Sequence, residues 1–357
     1  MKTIKTDNDK NIIYKKNLII AGPCSAESEE QLVTTAIELQ KIKKVDILRA
    51  GIWKPRTNPG SFEGVGVKGL PWLIKAKQIT GLPTAVEVAT SKHVEDALNF
   101  DIDVLWIGAR TTVSPFSIQN IADALSGSEK PVFIKNPVNP DIKLWIGAIE
   151  RLQKAGIVNI GLIHRGFTSY GNTEYRNPPL WQVPIEMKRL FPKLPMLCDP
   201  SHICGKRNNL HVVMQTSVDL DYDGIIIESH YNPDIALTDK EQQITPATLK
   251  QLLQQTIWKK VHSNETAFVS ELERLREQIN YLDEELISLM ADRMKIAKNI
   301  GEIKKNHNIT LLQSSRYNEI LDRAISKGIA LDLSEVFIKS YIEAIHIESL
   351  RIQNTNP

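Results

Sequence analysis

Three cations arrive in one short turn of the sequence. Val45–Pro59 reads VDILRAGIWKPRTNP, in which the brief apolar run of Val45, Ile47 and Leu48 is followed by Arg49, Lys54 and Arg56 in a segment broken by Gly51, Pro55 and Pro59. Arginine offers a planar fork of donors to phosphate or carboxylate oxygens, whereas lysine is a point charge whose proton can be moved during catalysis. Such a turn suits a phosphorylated substrate, although three cations alone could equally form a solvated basic loop. A second group has different chemistry. Cys24 in AGPCS, His202 in DPSH, Glu228 in IIIESH and Asp239 in ALTDKEQ offer S, N and O ligands to one divalent metal. Taken singly, a cysteine or histidine of this kind is ordinary packing. Taken as a set, the four point to a metal site.

The elements that must position these residues are legible as an alternation. Short apolar runs rich in Ile and Val occur at Leu18–Ala21, Asp46–Ala50, Thr84–Val88, Val104–Ile107, Val132–Ile134, Ile160–Ile163, Met196–Cys198 and Gly224–Ile227. Between and after them stand amphipathic segments of helical length: Glu29–Lys43, Val67–Ile79, Lys92–Leu98, Ser117–Leu125, Ile142–Lys154, Pro184–Leu190, Asn208–Leu220 and Thr245–Trp258. In the last, Thr245 is the expected N-cap and Pro246 the first helical residue. Eight strand–helix units predict a closed parallel (β/α)8 barrel. At or just past the strand ends come Cys24, Arg49, Glu87, Arg110, Lys135, Arg165, His202 and Glu228. Side chains at those ends converge on the mouth of such a barrel, where active sites of this fold sit.

At 357 residues the chain exceeds one ordinary domain, and its 42% hydrophobic and 24% charged residues are those of a globular protein. A net charge of +2 predicts neither a nucleic-acid footprint nor a polybasic membrane patch, so any anion is bound locally. Cys24, Cys198 and Cys204 form no CxxC pair, which fits a reducing compartment. No apolar region follows Lys2 and Lys5, and no run approaches the roughly 18 apolar residues of a membrane span. A cytoplasmic protein is expected.

In order, GPCS, RAGIWKPRT, IGAR, FIKN, HRG, DPSH, IESH and ALTD resemble the motifs of 3-deoxy-D-arabino-heptulosonate 7-phosphate (DAHP) synthases over about residues 17–258. The related octulosonate-phosphate synthases carry an Asn-containing turn where this chain has Lys54-Pro55-Arg56-Thr57, and rank second. The resemblance implies condensation of phosphoenolpyruvate with erythrose 4-phosphate. By motif, Arg110, Lys135 and Arg165 would hold the phosphoenolpyruvate phosphate, with Arg49 and Lys54 toward its carboxylate; from the residues alone, Lys206 is a candidate further cation at the barrel mouth. Arg56 and Thr57 would clamp the erythrose phosphate. Cys24, His202, Glu228 and Asp239 match the metal site, which Mn2+ would fill as a Lewis acid. Lys54 is then the proton donor to the aldehyde oxygen, and Glu87 positions the attacking water. Only about 16 residues precede the first strand, whereas members of this family often carry a regulatory extension there. A metal-free barrel remains the contrasting reading.

After Trp258 a polar stretch, residues 259–268, reads as a linker between a barrel at 1–258 and a helical domain at 269–357, with Asn264 or Thr266 as the cap of the next helix. Leu272, Leu275, Ile279, Leu282, Leu286 and Leu289 repeat at 3-4-3-4-3 spacing, the stripe of a long helix from about Phe268 to Asn306 that needs a partner chain. Arg293 and Lys304 fall about 20° apart on that helix, while Arg276 lies about 100° from Arg293 and serves a different cavity. Two more helices, Ser314–Ser326 and Ser334–Asn354, are expected on either side of Gly328. The run LREQINYLDEELISLMADRMKIAKNIGEIK resembles the first helix of the all-helical chorismate mutases, and the resemblance continues to the C-terminus. It implies an intertwined homodimer, or a larger homo-oligomer, that rearranges chorismate to prephenate. Arg276, Arg293, Arg316 and Ser349 would bind substrate, and Lys304 and Gln353 would stand by the ether oxygen. The family's Asp and Glu around the second-helix arginine are here Gln313 and Tyr317, with Glu319 nearby. The expectation is a bifunctional enzyme, with prephenate or chorismate feeding back on the synthase. The alternative is a helical module that only assembles the chain and senses ligand.

Overall fold

A computed structural model of the protein describes residues 12–55, 60–171, 173–260 and 265–354. The chain divides into two compact units, Met1–Val261 and His262–Pro357.

Among the described residues of the first unit, eight parallel strands close in sequence order. They are β1 (Leu18–Gly22), β2 (Ile47–Arg49), β3 (Thr84–Val88), β4 (Val104–Ile107), β5 (Val132–Lys135), β6 (Ile160–His164), β7 (Met196–Cys198) and β8 (Gly224–Glu228). Closure comes from β1 against β8, in register from Leu18 opposite Gly224 to Gly22 opposite Glu228. Both faces of these strands are covered, which is why the runs are continuously apolar instead of alternating. Alternate residues nonetheless point to opposite faces. Leu18, Ile20, Ile47, Ala85, Val104, Trp106, Phe133, Ile163, Leu197 and Ile226 fill the barrel interior together with Ile13, from the 3-10 turn Ile12–Tyr14. One inward step further along the strands come Arg49, Glu87, Lys135, Arg165, Asp199 and Glu228. The same period that builds the apolar interior therefore delivers a ring of charged side chains to the C-terminal mouth.

Around this barrel lie α1 (Glu29–Gln40), α2 (Gly69–Thr80), α3 (Ser91–Asn99), α4 (Ala109–Thr112), α5 (Pro115–Leu125), α6 (Ile142–Lys154), α7 (Gln182–Leu190), α8 (Pro200–Cys204), α9 (Leu210–Asp219) and α10 (Pro246–Gln255). Their starts follow local chemistry. Ser28, Thr90, Ser114, Asp141 and Thr245 each accept a backbone N–H from the first turn, as N-caps do. Two short helices, α4 and α8, are additions to the eight expected; each is a single turn at the barrel mouth, too short to carry an amphipathic signal.

In the second unit, α11 (Thr266–Asn306) and α12 (Ser314–Ile329) both pack on α13 (Glu335–Asn354). At 41 residues α11 is about 60 Å long. Of its residues only Ala297 and Gly301 are buried, while Leu275, Ile279, Leu282, Leu286 and Leu289 of the leucine stripe are exposed within the single chain. Two expectations are corrected. Glu265, not Thr266, holds the cap position of α11, without a side-chain cap bond, and Asn264 lies outside the described residues. Gly328 does not end α12 but lies inside its last turn, where an added Cβ would meet Ile338 Cγ1 at 2.5 Å. Close packing outweighs the helix cost of glycine, about 1 kcal/mol.

Candidate functional site

At the barrel mouth Cys24, Glu228 and Asp239 bring one sulfur and two carboxylate oxygens within 4.8 Å of one another. Glu228 ends β8, Cys24 follows β1, and Asp239 sits on the segment beyond β8 with a left-handed φ of 44°. The Cys24 thiol lies 3.3 Å from Asp239 Oδ2. His202, on α8, is not within that distance of all three, but its Nε2 is 3.8 Å from Glu228 Oε1. Glu228 Oε1 is buried and accepts no hydrogen bond, although Arg49 Nη1 lies 3.4 Å away as an ion-pair partner.

Electrostatics keep the two carboxylates anionic. Burial pushes Glu228 toward protonation, but His202 and Arg49 outweigh it and hold the carboxyl below its ordinary range. Asp239 is likewise opposed by burial and held down by His202 and Arg176. Burial, then Glu228, push the Cys24 thiol up to about 12. Two carboxylates and a soft sulfur around an unsatisfied buried oxygen form a donor set that fits a divalent cation of the Mn2+ or Zn2+ type.

Arg49 and Lys54 of the first turn stand directly beside this set. Arg49 is buried, donates from Nη2 to Cys24 O at 3.2 Å, and lies 5.0 Å from the centre of the Trp106 ring. Lys54 Nζ donates to Cys24 Sγ at 3.2 Å. Gly51 makes room for it, since a Cβ there would meet Lys54 Nζ at 2.5 Å. Arg56 and Thr57 lie outside the described residues.

Among the expected phosphate ligands, Arg110 is exposed and donates to Pro55 O at 2.6 Å. Arg165 Nη1 donates to Asn177 Oδ1 at 2.8 Å. Burial lowers Arg165 to about 10, with Arg176 and Arg110 adding to the fall against the opposing Asp199. Crowded guanidinium groups of this kind favour an incoming anion. Lys135 is already paired, its Nζ 2.8 Å from Asp199 Oδ2. Glu87 accepts from Trp106 Nε1 at 3.0 Å. Lys206 is exposed and lines a surface hollow with Arg207 and Asp234.

Sequence reasoning missed the residues that brace these groups. Asp199 is fully buried and receives Lys135 Nζ, His202 Nδ1 at 2.8 Å and the His202 backbone N–H at 3.2 Å. An Asp three residues before a histidine, followed by proline, is an N-cap signature that could have revealed it. Arg176 donates to Asp239 Oδ1 at 3.0 Å and to Gln242 Oε1 at 2.8 Å, while Gln242 Nε2 donates to Glu228 Oε2 at 2.6 Å. Asn177 Nδ2 reaches His202 O at 2.6 Å, so residues 176–177 link the Arg165 side of the mouth to the carboxylate side. No spacing in the sequence signals a loop contact of this kind. A cleft of about 550 Å³ beside Arg176, Asp239 and Gln242 opens the site.

The helical unit has its own cavity, of about 350 Å³. Arg293, Lys304, Arg316, Ser349 and Gln353 all line it, together with Gln313, Tyr317 and His346. Arg293 donates to Ser349 Oγ and Lys304 to Leu311 O, each at 2.6 Å. Arg316 is balanced by Glu319 at 2.8 Å. Arg276 does not line the cavity: it is exposed and paired with Glu273 at 2.8 Å.

Both units match known families. The family model described as "DAHP synthetase I family" matches residues 3–264, and "Chorismate mutase type II" matches residues 275–354. A phospho-2-dehydro-3-deoxyheptonate aldolase of Thermotoga maritima is 32% identical over 237 residues, covering 66% of this chain and 68% of the relative. A 2-dehydro-3-deoxyphosphooctonate aldolase of Wolinella succinogenes is 28% identical over 264 residues, covering 67% and 98%. The crystal structure of a Thermotoga maritima DAHP synthase superposes with a TM-score of 0.60 at 31% identity over 67% of each chain. Among the described residues no helix is long and apolar enough to cross a membrane.

Proposed function

The chain belongs to the DAHP synthetase I family and continues into a chorismate mutase type II domain, and from that premise we propose how its two sites work. Its domains make it a bifunctional enzyme of the shikimate pathway. In the proposed barrel reaction, C3 of phosphoenolpyruvate bonds to the aldehyde carbon of erythrose 4-phosphate, one water is consumed at C2, and inorganic phosphate leaves. Cys24, His202, Glu228 and Asp239 would hold the metal, which when bound supplies Lewis-acid polarisation of the aldehyde. Lys54, against the Cys24 thiol, delivers a proton to the developing alkoxide. Arg110, Lys135 and Arg165 take the phosphate of phosphoenolpyruvate, Arg49 faces its carboxylate, and Glu87 orients water. Arg56 and Thr57 hold the aldose phosphate. Dense positive charge keeps two mutually repelling anions at reacting distance.

The observation that carries this reading is the convergence of Cys24, Glu228 and Asp239, with an unsatisfied buried oxygen, beside crowded arginines at one end of the barrel. Its test is phosphoenolpyruvate consumption with erythrose 4-phosphate or arabinose 5-phosphate as acceptor, before and after chelation. Consumption with the four-carbon sugar, lost on chelation and restored by Mn2+, supports it. Preference for the five-carbon sugar would move the barrel to the octulosonate branch, and full activity after chelation would remove the metal from the reaction.

In the helical unit, Arg293 and Arg316 would receive the two carboxylates of chorismate, and Lys304 and Gln353 would face the ether oxygen as charge develops there. Gln353 Oε1 is buried without a partner. The exposed leucine stripe of α11 supports a homodimer in which Arg276 serves the partner's cavity. Joining two enzymes of one pathway supports feedback, with prephenate in the helical unit slowing the barrel reaction. Replacing Arg293 and Lys304 together by Ala in the full chain is the check. Feedback through the helical unit requires prephenate inhibition to disappear while uninhibited synthase activity remains.

A further inference from the structure

The cavity of the helical unit holds a histidine that the reading above does not use. His346, on α13, lines that cavity, and its Nε2 is buried without a hydrogen-bond partner. The Tyr317 ring of α12 lies 4.3 Å from it, inclined by 36°, and holds the imidazole against one wall. Three cations, Arg293 and Lys304 from α11 and Arg316 from α12, line the same cavity, and among the described residues no Asp or Glu does. An unsatisfied ring nitrogen in a cavity lined by cations calls for an anionic acceptor.

We propose that His346 is a ligand-contacting residue of this cavity, donating from Nε2 to a carboxylate oxygen of the bound dianion and taking up a proton as that dianion enters. The inference rests on the chorismate-binding reading of the cavity and adds a residue to it. Burial, then the charges of Arg293 and Lys304, hold His346 below its ordinary range, so the imidazole is neutral near pH 7 while the cavity is empty. A dicarboxylate offsets those two charges and gives the imidazolium an acceptor, which raises its proton affinity. Protons are then bound on complex formation, and affinity must rise as pH falls. The change is about tenfold for each unit by which the ligand raises the His346 pKa. Tyr317 is the other titratable ring in contact with His346, and chorismate carboxylates titrate too far below neutrality to mimic this.

The experiment is kcat/KM for chorismate from pH 5.5 to 9 on the full chain, comparing wild type with His346→Gln and His346→Leu. Circular dichroism confirms that each variant is folded. Wild type should gain about tenfold or more as pH falls from 8 to 6. His346→Gln, which donates but cannot titrate, should keep most of the pH 8 value with no such slope, whereas His346→Leu should lose both. A wild-type slope retained by His346→Gln, or undiminished activity of His346→Leu, overturns the proposal while leaving the mutase reading intact. If wild type turns over no chorismate, the mutase reading fails separately. Prephenate calorimetry in two buffers of different ionisation heat then decides the inference. Proton uptake by wild type but not by His346→Gln sustains it; no uptake, or no binding, overturns it.

Discussion

Replacing Asp199 by Asn tests the bracing of the barrel mouth quantitatively. Asp199 is fully buried between Lys135 Nζ at 2.8 Å and His202 Nδ1 at 2.8 Å, and it also caps α8. Burial works against its charge, but His202 and Lys135 hold the carboxyl well below the usual carboxylate range. Asn keeps the cap, worth about 1 kcal/mol, but leaves the buried Lys135 charge without a counter-charge. Stranding one member of a buried pair costs about 3–5 kcal/mol. For a unit of this size each kcal/mol is about 2–4 °C, so the expected fall in Tm is about 6–20 °C. Loss of the carboxylate behind His202 should also weaken metal binding by about 10–100-fold. Thermal unfolding in chelator reads the first effect, and Mn2+ titration calorimetry reads the second. Adding Lys135→Met removes the stranded charge and should recover most of the stability without restoring metal affinity. A D199N protein within 1 kcal/mol of wild type, or no recovery in the double variant, would refute the reasoning.

Asn177→Ala cuts the bond that holds Arg165 and should raise KM for phosphoenolpyruvate about tenfold, the equivalent of one charged hydrogen bond, in steady-state assays; an unchanged KM would mean that Arg165 needs no such brace. Burial lowers His164 to about 3. Its stabilising contribution is therefore complete above about pH 6.5 and shrinks as pH falls toward 3, by up to about 1.4 kcal/mol per pH unit. The cost of His164→Gln in urea unfolding should accordingly be smaller at pH 5 than at pH 7, and equal costs would contradict this. Introducing Leu282→Glu and Leu286→Glu on the exposed stripe of α11 should convert the proposed dimer to monomer in sedimentation velocity, each lost burial being worth about 1.5–3 kcal/mol. A wild-type chain that is already monomeric would leave that stripe unexplained.

The barrel was legible because its strands are buried on both faces, so Ile- and Val-rich runs such as Gly224–Glu228 stand out from the amphipathic segments between them. The mouth followed from chain direction: a charged residue after an inward apolar one must reach the C-terminal rim, as Arg49 does after Ile47 and Glu228 after Ile226. Helix ends carrying side-chain caps, such as Thr245 before Pro246, were readable in the same way. Arg176, Asn177 and Gln242 were not, because their roles arise where loops from different strands meet, at sequence separations that no periodicity marks. The single-turn helices α4 and α8 are too short for a 3.6-residue period, and Gly328 stays helical because of a contact with Ile338 that local propensity does not contain.

In the proposed reaction the barrel joins phosphoenolpyruvate to erythrose 4-phosphate at a metal held by Cys24, His202, Glu228 and Asp239. Its most direct test is a Mn2+ titration of chelated full-length protein, following phosphoenolpyruvate loss and heptulosonate phosphate formation together in wild type and Glu228→Gln. Wild type should lose and form equal molar amounts with activity that saturates with metal, and Glu228→Gln should need far more metal for the same response. Product formation in the chelated protein, or an unshifted curve for Glu228→Gln, would contradict it.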